Sequence, residues 1–555
     1  MHLMLVASLI KLHILPSALI LNRIARRAFP TSTSPISMGG PSGWTTPHHI
    51  DGPNVLHVDR VSSCDKRTSY VQNLQLLLTV SIGHVTIDVL PDDVLLLIFH
   101  FDRVTCLNLL GDVNRLWHMS WSWHRLVHVC QRWRSAVLAS PNFLDLRLIC
   151  GPGTRVELTA IWPPFPVIIR DMDSCPMPED YDFDAAIVYH DRVCEIDLHL
   201  TRSQLQRLAP AMQEKFPALI NINLHAVGYD KRPAALSDGF LGGTAPRLQS
   251  LELESIPFPG LPNLLLTATE LVHLTLWHIP YSWYISPEKL GACLAKLTNL
   301  KSLTIEFESP LSRPVGESRL PAPRKRAVLP ALAHFEFKGV SGYLEDLLAW
   351  IDAPYIDFIW ITLLHQLLFD IPGLSQLMRR TTKIKTFNEA HMDFGYYDVR
   401  LGSLPPTRSF DERSRLRISC MKLDWQLSSL VEAFTSFFPP IYIVEHLYIY
   451  GNRYWGEDDT ENTQWLEVFH PFIAVKNLYL CKDLAERIAS ALQELVGEIA
   501  MDVLPSLENL FLEDLQQWGP VQDAIEPFVA ARQLSNRPVV VSHWNRPTTE
   551  LQKDC

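Results

Sequence analysis

The chain has 555 residues, of which 47% are hydrophobic and 20% are charged, and its formal net charge is −11. The length exceeds one ordinary globular core, and the composition excludes a wholly disordered protein. The acidic balance argues against a nucleic-acid-binding protein, which usually carries a basic domain.

The N-terminal stretch, residues 1–30, is apolar, but Lys11 and Pro16 interrupt it, so it is too broken to predict a membrane span. Its basic residues follow the apolar run, whereas a secretory signal places them first. No acidic residue precedes Asp51, which is similar to a mitochondrial presequence. We favour the simpler interpretation, a leader and flexible linker without fixed structure over residues 1–69, or a misassigned start of the coding region.

The first structured element is predicted by "LPDDVLLLIFHF", residues 90–101. Pro91 suits the first turn of a helix, and Asp92 and Asp93 lie near the positive end of the helix dipole. The residues that follow are apolar on more than one face, and such a helix must be covered by something. The cover is either the rest of this chain or another protein.

A second helical pattern appears in "RLVHVCQRWR", residues 125–134, and continues into "SAVLASPNFLDLRL". Leu126, Val129, Cys130 and Trp133 have the i, i+3/i+4, i+7 spacing of one helical stripe.

Together, "LPDDVLLLIF", "LVHVCQRWR" and "SPNFLDLRL" resemble an F-box, a small helical module that docks on the cullin adaptor subunit of SCF-type ubiquitin ligases. The link between the two motifs, residues 102–124, is longer than is usual in the family and contains three tryptophans. The resemblance implies that nine residues contact the adaptor: Leu90, Pro91, Val94, Leu95, Ile98, Phe99, Val129, Cys130 and Trp133.

From about residue 190 the sequence repeats an L-x-x-L-x-L element, whose copies begin 23–32 residues apart where they are adjacent, as in leucine-rich repeats. Clean copies begin at Val193, Leu219, Leu248, Leu271, Leu300, Leu332, Ile356, Val444, Val475 and Leu507. A weak copy begins at Ile384, and "LRISCM" at Leu416 fills the remaining gap poorly.

The last two apolar positions of each copy point to one face of a short strand, and stacked copies bury that face in a parallel sheet. Helical spacing at 287–299 and 484–498 predicts helices between strands. We therefore expect an α/β protein: a small all-α F-box-like module at 86–150, a connector at 151–190, and an irregular leucine-rich-repeat solenoid, a horseshoe, at 191–545. The alternative is an ordinary α/β domain.

Further segments, among them "IWPPFPVIIRD", "DWQLSSL" and "HPFIAVKNLYL", resemble the large F-box/leucine-rich-repeat families of mushroom-forming fungi. This resemblance implies the role of substrate receptor in an SCF-type ligase. It implies no particular target.

The strand positions between the apolar residues are candidates for binding a protein target, although a solvated face is the alternative at each of them. These candidates are Glu252, Glu254, His273, Glu306, Glu336, Lys338, His446 and Tyr448. The sequence contains no G-x-S-x-G elbow, P-loop or H-E-x-x-H motif, so we expect no enzymatic activity of its own.

The ten cysteines are scattered, and no two are separated by only two residues, so we expect neither a disulfide framework nor a zinc site, and no cofactor. We expect a cytoplasmic or nuclear protein whose partners are the cullin adaptor and a protein target, with no nucleic acid or membrane. The alternatives are a repeat scaffold without a role in ubiquitin transfer, a membrane- or organelle-associated protein directed by residues 1–27, and a helical module that merely caps the first repeat.

Overall fold

The computed structural model describes these residues: 90–100, 122–151, 164–171, 178–179, 181–183, 187–228, 235–280, 283–309, 326–364, 371–381, 388–394, 398–402, 416–421, 443–451, 462–495, 502–513 and 519–545. The predicted leader at 1–69 and nearly all of the link at 102–124 lie outside them. The chain divides into two compact units, Met1–Arg147 and Leu148–Cys555.

The described residues of the N-terminal unit include three helical segments: α1 (92–100), α2 (Ser122–Val127) and α3 (Gln131–Ala139). The single helical stripe that we predicted across 125–134 is wrong, because the helix ends at Val127 and a new one starts at Gln131. Cys130 has extended backbone angles (φ −155°, ψ 169°), which do not continue a helix. Its Sγ instead accepts a hydrogen bond from the Trp133 backbone N–H at 3.4 Å and caps α3.

The apolar run of α1 is covered largely within the chain. Leu95, Ile98 and Phe99 are at most 3% exposed, and Trp133 of α3 is 2% exposed. The rings of Phe99 and Trp133 lie with their centroids 4.7 Å apart. These four side chains therefore belong to the interior of the chain.

The second unit alternates strands with helices. Its strands are β1 (Leu148–Cys150), β2 (Val167–Arg170), β3 (Val193–Leu200), β4 (Asn221–Ala226), β5 (Ser250–Glu254), β6 (His273–Ile279), β7 (Ser302–Phe307), β8 (Ala327–Val328), β9 (His334–Gly339), β10 (Ile351–Asp352), β11 (Phe358–Leu364), β12 (Glu389–Phe394), β13 (Asp398–Gly402), β14 (Leu416–Met421), β15 (His446–Gly451), β16 (Asn477–Leu480), β17 (Asn509–Glu513) and β18 (Val540–Trp544). The helices among its described residues are α4 (Arg202–Ala211), α5 (Leu261–Thr267), α6 (Pro287–Leu294), α7 (Ser341–Trp350), α8 (Pro372–Arg380), α9 (Asn462–Phe469), α10 (Lys482–Gln493) and α11 (Pro520–Leu534), with a short 3₁₀ turn at Phe240–Gly243.

Sixteen of these strands form one sheet, in the order β1-β2-β3-β4-β5-β6-β7-β9-β11-β14-β13-β12-β15-β16-β17-β18. Neighbouring strands are parallel except where β13 pairs with β12 and β14. The predicted α/β class with a parallel sheet is confirmed. The sheet begins at Leu148 rather than near residue 191, and the stretch that we predicted as a connector contributes strand β2.

The gap in the repeat pattern corresponds to a local rearrangement of the sheet. Strand β14 pairs with β11, and the antiparallel β13 lies between β14 and β12. The weak copy that we placed at Ile384 is displaced, since the strand begins at Glu389. Its buried apolar residues are Ala390, Met392 and Phe394, and a search for large aliphatic residues passes over the alanine.

The core lies on one face of the sheet. Leu251, Leu274 and Leu303 are register partners on successive strands and are fully buried. The helices predicted at 287–299 and 484–498 are observed as α6 and α10. Leu484 at the start of α10 lies so close to Gly451 that a Cβ at position 451 would collide with the leucine side chain, so helix and strand pack tightly.

Candidate functional site

The opposite face of the sheet carries the side chains that alternate with the buried leucines, and we call it the outer face. All eight candidates named from the sequence lie on this face. Most of its side chains are half-buried, as Glu252 and Tyr448 illustrate, whereas their strand neighbours Leu253 and Leu447 are buried. The outer face is therefore the polar surface that the strands present.

A continuous row of polar contacts crosses the outer face from β2 to β9. We call it the histidine–carboxylate ladder, and it consists of Asp171, His199, His225, Glu254, His278, Glu306 and Lys338. At its start, Asp171 accepts a hydrogen bond from the backbone N–H of His199 at 2.7 Å, and its other oxygen lies 3.0 Å from His199 Nδ1. The His199 ring stacks on His225 with centroids 4.7 Å apart.

The ladder continues through two glutamates. Glu254 Oε2 lies 2.5 Å from His225 Nδ1, and its Oε1 lies 3.1 Å from His278 Nδ1. His278 also reaches Glu306 at 3.2 Å, and Glu306 pairs with Lys338. His278 has φ +49° at an irregularity in the pairing of β6 with β7, and this bulge directs its ring towards both carboxylates.

Beside the ladder, Asp197, Asn223 and Glu252 occupy the same register position on β3, β4 and β5. Arg170 forms ion pairs with Glu195 and, at 2.9 Å, with Asp197. Burial raises the pKa of the Asp197 carboxyl above its ordinary value, and burial also raises the pKa of Glu252. Burial therefore disfavours the charged form of both carboxyls.

Aromatic rings replace the polar row in the C-terminal part of the sheet. His391, Tyr448, Tyr479 and Phe511 are register partners on β12, β15, β16 and β17, and we call them the aromatic ladder. Their centroids are 4.3, 4.1 and 4.5 Å apart, and successive planes are inclined by 10° or less. Trp544 packs edge-on against Tyr448 and Tyr479 with centroids 6.1 and 5.6 Å away.

His391 is only 3% exposed, and its Nδ1 lies 3.2 Å from the Tyr450 hydroxyl. Burial lowers the pKa of His391 to about 3, so the ring is neutral at physiological pH. Alongside, Asn509 donates from Nδ2 to Asn477 Oδ1 at 2.8 Å. Hydrogen bonds between side chains thus link neighbouring strands of the sheet.

The nine predicted adaptor-binding residues differ in accessibility. Leu95, Ile98, Phe99 and Trp133 are buried within the chain, while Pro91 and Val129 are exposed, the latter by 55%. Leu90, Val94 and Cys130 are half-exposed.

Sequence reasoning did not single out Leu97 and Phe143, which are 46% and 45% exposed. Leu97 lies in the apolar run of residues 90–101, so that run could have identified it. Arg132 joins the two motifs, because it pairs with Asp92 at 2.8 Å and donates to the Leu90 carbonyl.

Sequence reasoning also missed His391 and Trp544, because neither lies within a clean copy of the repeat. Counting alternate positions along β12 and β18 would have found them only after the strand boundaries were known. Within the ranges described, no group of three or more His, Cys, Asp or Glu side chains is arranged to hold a metal ion. A search of the same ranges for a helix long and apolar enough to cross a bilayer found none.

No family model matches the chain, and no curated protein matches it. Among solved structures it is similar to the leucine-rich repeat-containing protein LegL7 from Legionella pneumophila, at 12% identity. That match covers 71% of this chain and 98% of that chain at a TM-score of 0.25. The strand order and register given above define the fold of this chain.

Proposed function

We propose that this protein is a leucine-rich-repeat protein that binds a protein ligand on the outer face of its sheet. The observation that carries this proposal is the row of half-buried charged and aromatic side chains along successive parallel strands. Parallel stacking repeats one strand position about every 5 Å, which produces an extended surface suited to a polypeptide rather than a small molecule. Aromatic and charged residues are frequent in the energetically dominant parts of protein interfaces.

We further propose that the protein is the substrate-receptor subunit of an SCF-type ubiquitin ligase, as the resemblance to F-box/leucine-rich-repeat proteins implies. The exposed Pro91 and Val129 and the half-exposed Leu90, Val94 and Cys130 are the residues available to the cullin adaptor. Leu95, Ile98, Phe99 and Trp133 support that surface from inside. Catalysis belongs to the partner subunits, and this chain contributes proximity between the target and the transfer machinery.

The second candidate is a repeat scaffold without a role in ubiquitin transfer. One observation favours it: burial of Leu95, Ile98 and Phe99 within the chain accounts for most of the apolar helix without any adaptor. Whether the accessible apolar residues of the N-terminal unit bind the adaptor therefore distinguishes the two candidate functions.

The test is a binding measurement between the full chain and the purified cullin adaptor subunit. The variant Leu97→Lys/Val129→Lys places charges at 46% and 55% exposed positions of the N-terminal unit. The matched control, Leu266→Lys/Val188→Lys, makes the same changes at 46% and 65% exposed positions of the second unit. Because all four side chains are exposed, both variants should remain folded, which circular dichroism verifies.

Adaptor binding at about 10 µM or below by the wild type and the control, weakened at least about tenfold in the first variant, supports the receptor proposal. If the folded wild type does not bind at that concentration, the scaffold proposal replaces it. Equal binding by both variants would remove the adaptor-binding assignment from the N-terminal unit.

A further inference from the structure

Charge is unevenly distributed over the outer face between β2 and β9. Six carboxylates occupy outer strand positions there: Glu195, Asp197, Glu252, Glu254, Glu306 and Glu336. The permanent cations at outer positions of the same strands are Arg170 and Lys338. Both are already engaged, because Arg170 pairs with Glu195 and Asp197, and Lys338 pairs with Glu306. The charge balance of this surface is therefore negative.

The imbalance is greatest in the register row Asp197, Asn223 and Glu252, which we call the acceptor row. The Oδ1 atom of Asn223 is buried and accepts no hydrogen bond, which is a costly state for a side-chain oxygen. Glu252 forms no ion pair with any residue that the structure describes. Three neighbouring strands thus carry side-chain oxygens at one register position, and Arg170, the cation paired with Asp197, is shared with Glu195.

A cationic donor from outside the chain would give the half-buried Glu252 the ion pair that it lacks among the described residues. An ammonium or guanidinium group donates several N–H bonds and carries the positive charge that the row lacks. The raised pKa values of Asp197 and Glu252 agree with this reasoning, since burial and the neighbouring carboxylates disfavour their charged forms. The same negative charge repels the phosphates of a nucleic acid, so a basic polypeptide is the ligand that fits.

We propose that the acceptor row binds a lysine or arginine side chain of a basic, extended segment in the protein target. This inference depends on the proposal that the outer face binds a protein ligand, and it specifies the chemistry of that ligand. Trp277, the register partner of Glu254, lies on the same face and adds an aromatic surface for the apolar stem of a basic side chain.

The probe is a fluorescein-labelled peptide of eight lysines, measured by fluorescence anisotropy with the full chain, beside a neutral Gly/Ser peptide of equal length. The variant Asp197→Asn/Glu252→Gln removes two charges from the acceptor row and keeps the side-chain shapes. The control Asp502→Asn/Glu526→Gln removes the same two charges from exposed positions elsewhere on the unit. The charge of the whole protein is therefore equal in the two variants.

We expect the acceptor-row variant to bind oligolysine at least about fivefold more weakly and the control to remain within about twofold of wild type. A third variant, Asn223→Lys, places a cation inside the row and should weaken binding at least as much. Circular dichroism verifies that each variant is folded.

Absence of oligolysine binding by the wild type, or equal weakening in the first two variants, would overturn the inference. Equal weakening would mean that overall charge, and not the acceptor row, attracts the peptide. The adaptor measurement is independent of this one, so loss of the basic-segment inference leaves the receptor proposal standing, and the reverse also holds.

Discussion

The rings of Tyr448 and Tyr479 stack face to face on neighbouring parallel strands, with centroids 4.1 Å apart and planes inclined by 10°. Each ring has a further stacked partner, His391 on one side and Phe511 on the other. Parallel register places equivalent positions of successive repeats in contact, so one side chain in the middle of this row supports two neighbours.

We predict that Tyr479→Ala lowers the free energy of unfolding by about 2 kcal/mol, because it removes contacts with Tyr448 and Phe511 from a half-buried position. Tyr479→Phe keeps the ring and should cost less than about 1 kcal/mol. Urea unfolding of the full chain measures both changes. Tyr355, which is 56% exposed, serves as the control, and Tyr355→Ala should remain within about 0.5 kcal/mol of wild type.

Two helical glycines should respond oppositely to alanine. A Cβ at Gly291 of α6 would lie 2.5 Å from Trp350 Cβ, so Gly291→Ala forces α6 and α7 apart and should cost about 1–3 kcal/mol. A Cβ at Gly342 of α7 meets nothing within 4 Å, and Gly342→Ala should stabilise the protein by up to about 1 kcal/mol. Thermal unfolding of the two variants decides the matter, and a stabilised Gly291→Ala would contradict the close packing of α6 on α7.

Burial of His391 should make stability depend on pH. Burial lowers its pKa to about 3 in the folded chain, from the ordinary value of 6.5 that applies when the chain is unfolded. Below pH 6.5 the unfolded chain therefore binds a proton that the folded chain does not. The free energy of unfolding is therefore highest above pH 6.5 and decreases as the pH falls towards 3. At pH 5 it is about 2 kcal/mol lower than above pH 6.5.

The variant His391→Phe keeps a ring against Tyr448 and removes the titrating group. We expect the difference in unfolding free energy between wild type and His391→Phe to shift by about 2 kcal/mol in favour of the variant between pH 7.5 and pH 5. Urea unfolding at the two pH values gives this difference. An unchanged difference would mean that the buried, neutral state of His391 is not maintained.

The ion pair between Arg132 and Asp92 should contribute little by itself. The two side chains are 35% and 60% exposed, so solvent screens the 2.8 Å contact. A double-mutant cycle with Arg132→Ala and Asp92→Ala should give a coupling energy below about 1 kcal/mol. Arg132→Ala alone should cost more than Asp92→Ala, because it also removes the hydrogen bond to the Leu90 carbonyl. If Asp92→Ala lowered the free energy of unfolding more than Arg132→Ala does, the hydrogen bond to the Leu90 carbonyl would not have the role assigned to it.

Much of the second unit was predictable, because its apolar residues recur at strand and helix spacing. The copies at Leu248, Leu271 and Leu300 correspond to strands β5, β6 and β7, and their leucines are buried as predicted. Prediction failed where the apolar signal weakened. At β12 the first inward residue is the small Ala390, followed by Met392 and Phe394, and the antiparallel β13 reverses the chain before β14 pairs back with β11.

The break at Cys130 also escaped the sequence pattern. Residues 125–134 keep helical spacing, yet Cys130 is extended and caps a new helix with its own thiol. Spacing along the chain does not report a local change in backbone angles when the apolar residues on both sides remain in phase.

The sequence by itself determined which residues are buried in the repeats and which strand positions face outward, because alternation along a strand is a local property of the backbone. The tertiary structure alone decided which outward residues meet. The contacts of Glu254 with His225 and His278, and the row of Asp197, Asn223 and Glu252, depend on register between strands that the chain reaches only after an intervening segment. That register is set by packing of the buried leucines, and so the candidate binding surface follows from the core.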